Sequence, residues 1–172
     1  MLSFVLENIK DTKLLAETLA GHLGEGDLVI LSGELGTGKT AFARALLGYL
    51  GVNEVVTSPT FVLVKSYRGR IPVDHVDIYR VDDPEELYVL SIEELLEDGH
   101  IVVIEWGERA LGLFGSSYIQ ISFERLDIEV SIEDEIAGEA KRFVTVEIVG
   151  PRFRDRRGQM EADMCKTWNV AR

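Results

Sequence analysis

The stretch GELGTGKT, residues 33 to 40, carries the strongest chemical signal in the chain. Gly33, Gly38, Lys39 and Thr40 satisfy the spacing G-x-x-x-x-G-K-[ST]. In that spacing the glycines let successive backbone N–H groups turn into one concavity. The lysine reaches the β and γ phosphates of a nucleotide, and the threonine hydroxyl binds Mg²⁺. A helix starting at this turn adds its positive N-terminal end to the same anion site.

A magnesium nucleotide site also needs a hard oxygen ligand at the end of a neighbouring strand. In HIVVIEWGE, Glu105 follows four apolar residues and supplies that carboxylate, and Trp106 beside it suits either stacking on a base or partner or burial in the core. In HVDIYR, period-two alternation puts His75, Asp77 and Tyr79 on one strand face and Val76, Ile78 and Arg80 on the other. Asp77 is the candidate to orient an attacking water or to accept a hydroxyl proton at a γ phosphate, whereas the bland reading of the same face is a solvated strand. In SPTF, Pro59 stiffens a turn and Thr60 presents a hydroxyl able to sense a γ phosphate or its metal. That segment reads either as a switch or as a proline-shaped entry to the next strand.

These residues need elements to hold them. SFVLEN reads as a short strand and DTKLLAETLAGHL as a helix capped by Asp11 or Thr12. DLVILSG is a continuous apolar run, expected as a strand buried on both faces, and TAFARALLGYLG is a helix closed by Gly51. FVLVKSYRG and RIPVDHVDIYR, joined by a glycine-containing turn, predict a hairpin. DPEELYVLSIEELLEDG predicts an acidic helical segment ending at Gly99. SYIQISFERL and KRFVTVEIVG alternate and are expected to pair across the acidic connection at 127 to 140. The expected fold is a single α/β domain of the P-loop class, its mixed central sheet flanked by helices, with antiparallel additions in the C-terminal half.

The chain has 172 residues and a net charge of −12, which repels nucleic-acid phosphates over most of its surface and disfavours tight direct RNA or DNA binding. Residues 151 to 172 differ from the rest, with six basic residues against three acidic ones. They are read as a basic tail, residues 150 to 172, free to be disordered, behind a domain of residues 1 to 149. Cys165 is the single cysteine, so an internal disulfide and a cysteine-based zinc site are excluded. No apolar run approaches the ~20 residues of a membrane span, and the N-terminus lacks the pattern of a secretory signal. A cytoplasmic protein is expected.

Together, GELGTGKT, SPTF, HVDIYR and IEWGE, in that order and spacing, resemble the TsaE family of tRNA threonylcarbamoyladenosine biosynthesis proteins, small bacterial P-loop ATPases. The resemblance covers roughly residues 3 to 149, and the tail is extra to it, either disordered or in contact with tRNA or the partner TsaD. It implies an ATPase that works with two partner proteins, TsaB and TsaD. The complex attaches threonylcarbamoyl to the adenosine beside the anticodon of tRNAs reading codons that begin with A. TsaD performs the transfer and hydrolysis resets the complex, so tRNA is reached only indirectly.

By the same resemblance the loop residues Glu34, Leu35, Gly36, Thr37, Gly38, Lys39, Thr40 and Ala41 bind nucleotide. Thr40 and Glu105 hold Mg²⁺, and Lys39, Asp77 and Glu105 serve hydrolysis, with Thr60 as the switch. Trp106 supports nucleotide or partner contact, Thr12 lies near the adenine and Arg142 near the nucleotide. No N-K-x-D stretch for guanine is present, which favours ATP. Two other functions fit the residues: a small-molecule or nucleoside kinase with Asp77 as base, and a non-catalytic module whose partner affinity depends on nucleotide.

Overall fold

The computed structural model describes residues 1–81, 84–126 and 140–168. Seven strands form one mixed sheet: β1 (Leu2–Leu6), β2 (Leu28–Gly33), β3 (Val64–Arg68), β4 (Pro72–Asp77), β5 (Ile101–Glu105), β6 (Tyr118–Arg125) and β7 (Arg142–Val149). Their spatial order is β1-β7-β6-β2-β5-β4-β3. The middle pairs, β2 with β5, β2 with β6 and β4 with β5, are parallel. The pairs toward the two edges, β3–β4, β6–β7 and β1–β7, are antiparallel. The antiparallel additions therefore lie on both flanks and are not confined to the C-terminal half.

The central strands are apolar because both faces are covered. Every residue from Leu28 to Leu31 and from Ile101 to Ile104 is buried. One face packs on α1 (Ile9–Ala20) and α2 (Lys39–Tyr49) through Leu15, Leu19, Phe42, Leu46 and Leu47. The other face packs on α3 (Pro84–Tyr88) and α4 (Ile92–Glu97) through Leu87 and Ile92, together with Val76, Ile78 and Phe114. Among the described residues no helix is long and apolar enough to cross a membrane.

Four local expectations are corrected. The cap of α1 is Asn8, whose side chain accepts from the Lys10 and Asp11 amides. Asp11 and Thr12 lie in the first turn instead. The acidic segment at 83 to 99 is two short helices, broken where Ser91 takes a left-handed conformation (φ 47°). The first hairpin strand begins only at Val64, since the amides of Val62 and Leu63 both bond the Pro59 carbonyl at 2.8 Å and close a turn there. The acidic connection expected at 127 to 140 falls, apart from residue 140, outside the described residues.

The fourth correction concerns the tail. Residues 150 to 168 are part of the packed molecule: a 3-10 turn, Pro151–Phe153, leads into α5 (Arg157–Thr167), and Phe153, Met160 and Met164 are fully buried in the same core as α1. Asp27, 0% exposed at the start of β2, accepts from Arg156 through both carboxylate oxygens and from Arg152 Nε at 3.1 Å. Two of the tail's basic charges are thus spent on a buried carboxylate. This reverses the reading of a free basic extension, because a buried anion needs paired cations and composition does not show where they come from.

Candidate functional site

The three parallel strands β2, β5 and β4 lie side by side, so their carboxyl ends open on one crevice, the usual binding position in such sheets. β2 delivers the glycine loop, β5 delivers Glu105, and β4 delivers Asp77, which is in register with Glu105. The resulting cleft, about 340 Å³, is lined by the loop, by Ser58 and Thr60, and by Asp77, Tyr79, Glu105 and Trp106.

Glycine is required at the entrance to the loop: a Cβ on Gly33 (φ +129°) would sit 2.3 Å from the Phe123 carbonyl oxygen of β6. At Gly38 there is room for a side chain, but φ is +107°, which L-residues avoid. Gly38 is also the N-cap of α2. That helix has no side-chain cap and no acid in its first turn, so its first amides stay open to an anion. From behind, Arg125 donates to the Gly36 carbonyl (3.1 Å) and Arg142 Nε to the Thr37 carbonyl (2.8 Å).

Lys39 is 4% exposed. Its ammonium donates to the carbonyls of Gly33 (2.6 Å) and Glu34 (2.8 Å) and lies 3.6 Å from the centre of the Trp106 ring. Burial pushes its pKa below the ordinary lysine value, opposed by the negative charges of Glu105, Glu108 and Asp77. The Thr40 hydroxyl donates to Glu105 Oε2 at 2.7 Å. The other oxygen, Oε1, lies 2.9 Å from His75 Nε2. Asp77 is 3% exposed. Its Oδ2 accepts from Ser58 (3.0 Å) and Thr60 (2.6 Å), and its Oδ1 from the Tyr79 amide (2.9 Å).

The structure thus brings Lys39, Thr40, Thr60, Asp77, Glu105 and Trp106 together. The face carrying His75 and Asp77 is buried, not solvated, since His75 is 0% exposed. Tyr79 lies beyond the end of β4, yet it still reaches the cleft and packs on Trp106 with ring centres 4.8 Å apart. Trp106 is half-buried: it lines the cleft wall and packs against the core that holds Ile30 and Ile104.

Thr12 and Arg142 are not in this cleft. They line a smaller one of about 130 Å³ on the other side of Gly38 and Ala41, together with Asn8 and Phe123. Leu35 is 75% exposed at the rim of the main cleft.

Two residues at the site, Ser58 and Glu108, were not singled out from the sequence, and His75 was placed on the face of Asp77 without a role. Ser58 could have been found as the hydroxyl two places before Thr60 in SPTF. Glu108, three residues after Glu105, adds a negative charge beside Lys39. The role of His75 had only its alternation with Asp77 as a signal.

A hydroxyl and a carboxylate 2.7 Å apart beside a buried lysine form a hard-oxygen pair of the kind Mg²⁺ takes when phosphates and waters complete its shell. The donor set at Thr40 and Glu105 therefore fits that ion. The fold and site define a P-loop nucleotide-binding protein. A family model, "Threonylcarbamoyl adenosine biosynthesis protein TsaE", matches residues 6–136.

Among its relatives, the tRNA threonylcarbamoyladenosine biosynthesis protein TsaE of Rickettsia felis is 40% identical over 125 residues, 72% of each chain. The protein of the same name from Treponema pallidum is 32% identical over 83% of this chain and 97% of that one, and that from Bacillus subtilis 31% identical over 85% of each. The crystal structure of Bacillus subtilis YdiB superposes with a TM-score of 0.74 at 25% identity, covering 94% of both chains. That coverage runs past β7 into α5, so relative to YdiB the C-terminal segment is not an addition. The chain belongs to the TsaE family, whose members are named for tRNA threonylcarbamoyladenosine biosynthesis.

Proposed function

We infer that this protein hydrolyses ATP with Mg²⁺ and, as the ATPase subunit acting with TsaB and TsaD, resets the complex that attaches threonylcarbamoyl to tRNA adenosine in the cytoplasm. The observation that supports this reading best is the convergence of Lys39, the Thr40–Glu105 pair and Asp77 on one cleft at the carboxyl ends of three adjacent strands. The family name supports the pathway; the cleft supports the chemistry.

Bound Mg²⁺ would neutralise charge on the β and γ phosphates. Thr40 and Glu105 would hold it, the Thr40 hydroxyl through an oxygen lone pair that its donated bond to Glu105 leaves unused. Lys39 would leave the carbonyls of Gly33 and Glu34 for phosphate oxygens, a change helped by the uncapped start of α2. Asp77 would orient the attacking water. Water adds to the γ phosphorus as the bond to the β–γ bridging oxygen breaks, releasing ADP and inorganic phosphate, and a proton of that water passes to solvent by way of Asp77 or the product phosphate. Asp77 Oδ2 faces the hydroxyls of Ser58 and Thr60, and Oδ1 accepts from the Tyr79 amide and keeps a second lone pair for the water. With Asp77 held by the Ser58–Thr60 segment in this way, slow turnover is expected of the isolated chain, with the partners completing the site.

The test is release of inorganic phosphate from Mg·ATP by the purified chain, alone and with TsaB and TsaD. Slow release alone and faster release with both partners is expected. Full activity alone overturns the partner requirement, and a phosphorylated acceptor without free phosphate overturns hydrolysis in favour of a kinase.

A further inference from the structure

We propose that His75 is a positioning residue for the metal-holding carboxylate of Glu105; the inference rests on the magnesium nucleotide reading above. His75 is completely enclosed in β4, and its Nε2 lies 2.9 Å from Glu105 Oε1. Glu105, 2% exposed, divides its two oxygens: Oε1 faces His75, and Oε2 takes the Thr40 hydroxyl at the cleft. The histidine therefore holds the back of the carboxylate and turns the other oxygen toward the position a cation would take.

The hydrogen bonds of the ring fix which nitrogen is the donor to Glu105. Nδ1 of His75 is buried with no hydrogen-bond partner among the described residues. An ionised carboxylate only accepts, so Nε2 carries a proton and donates it to Glu105. A buried polar atom without a partner costs stability, and an apolar side chain would fill this strand position without that cost. The bond to Glu105 is what the imidazole gains in exchange, and bonds to ionised groups are the stronger kind.

The backbone makes the arrangement rigid. β4 and β5 pair in parallel, with His75 opposite Val103 and Asp77 opposite Glu105, so His75 and Asp77 project from one strand on one face. A single buried strand thereby fixes both the carboxylate aimed at water and the donor that orients the carboxylate aimed at metal. Groups that hold metal ligands in this way set ligand orientation, and their loss weakens metal affinity by about 10- to 100-fold.

The experiment compares the full-length chain with H75L and H75Q. Mn²⁺ stands in for Mg²⁺, and its binding in the presence of ADP is followed by electron paramagnetic resonance of the free ion. ADP binding is titrated separately in EDTA. H75L is expected to lose about 10- to 100-fold in Mn²⁺ affinity and to keep the metal-free ADP affinity of the unaltered chain. H75Q, whose amide can donate to the same oxygen, is expected to restore Mn²⁺ binding.

Mn²⁺ binding by H75L as tight as in the unaltered chain, or no recovery in H75Q, overturns the proposal. Should H75L not fold, H75Q against H75N decides: asparagine is one methylene shorter and cannot reach Glu105, so equal Mn²⁺ affinities overturn it too. An unaltered chain that binds neither ADP nor Mn²⁺ overturns the nucleotide reading itself. Intact binding that is indifferent to His75 overturns this inference alone.

Discussion

The hydroxyl of Thr60 donates to Oδ2 of Asp77 at 2.6 Å, across 17 residues of chain, and Ser58 shares the same oxygen. The segment read as a switch is thus fastened to the residue read as the water-orienting acid. For that reason Asp77→Asn is the informative substitution, since it preserves shape while removing the charge. We expect it to slow ATP turnover by about 10²- to 10⁴-fold and to leave ADP affinity close to that of the unaltered chain. Single-turnover hydrolysis beside a nucleotide titration checks this; unchanged turnover would show that Asp77 only fastens the segment.

Lys39 yields a prediction about pH. Burial lowers its pKa in the folded chain, whereas the unfolded chain keeps the ordinary value of 10.5. Between the two the unfolded state binds more protons, so stability rises with pH across that window and is flat below it. Lys39→Met removes this rise. Thermal unfolding of both proteins without nucleotide, from neutral pH to about 10.5, should show the midpoint of the unaltered chain gaining on that of the variant as pH increases. Parallel curves would contradict the buried-charge assignment.

Thr40 and Glu105 should be inseparable in their effect on metal. Thr40→Val keeps volume and loses the hydroxyl; Glu105→Gln keeps volume and loses the charge. In either variant we expect nucleotide to bind equally well with Mg²⁺ and with EDTA, whereas the unaltered chain binds better with the metal. Calorimetric titrations under both conditions measure the difference. A full magnesium effect in either variant would remove that residue from the metal site.

The C-terminal segment should be structural. Phe153 is fully buried beside Met160 and Met164, so Phe153→Ala should cost about 3–5 kcal/mol of stability through lost burial and a cavity. The readout is the urea midpoint at unchanged slope. A loss below about 0.5 kcal/mol, the range of ordinary surface changes, would mean that the segment does not pack on the core in solution.

Much of the site was legible because its signals are local. The turn from Gly33 to Thr40 needs positive φ and missing side chains at fixed places, and a reader of the chain sees glycine in those places. Glu105 announces itself as an acid ending an apolar run, and Asp77 as one in a β-rich segment. The break at Ser91 was hidden for the opposite reason: nothing in DPEELYVLSIEELLEDG marks a left-handed residue, and helical periodicity continues across it.

By itself, then, the sequence determined the phosphate-binding turn, the alternation of apolar strands and helices around it, and the family to which the chain belongs, since all three depend on residue types at short fixed spacings. The tertiary structure alone decided which distant groups meet: His75 with Glu105 across 30 residues, Thr60 with Asp77, and Arg156 with the buried Asp27 across 129. Spacing along the chain fixes dihedral angles and faces. The neighbours of a buried charge follow from strand order and from the demand that every such charge find a partner once water is gone.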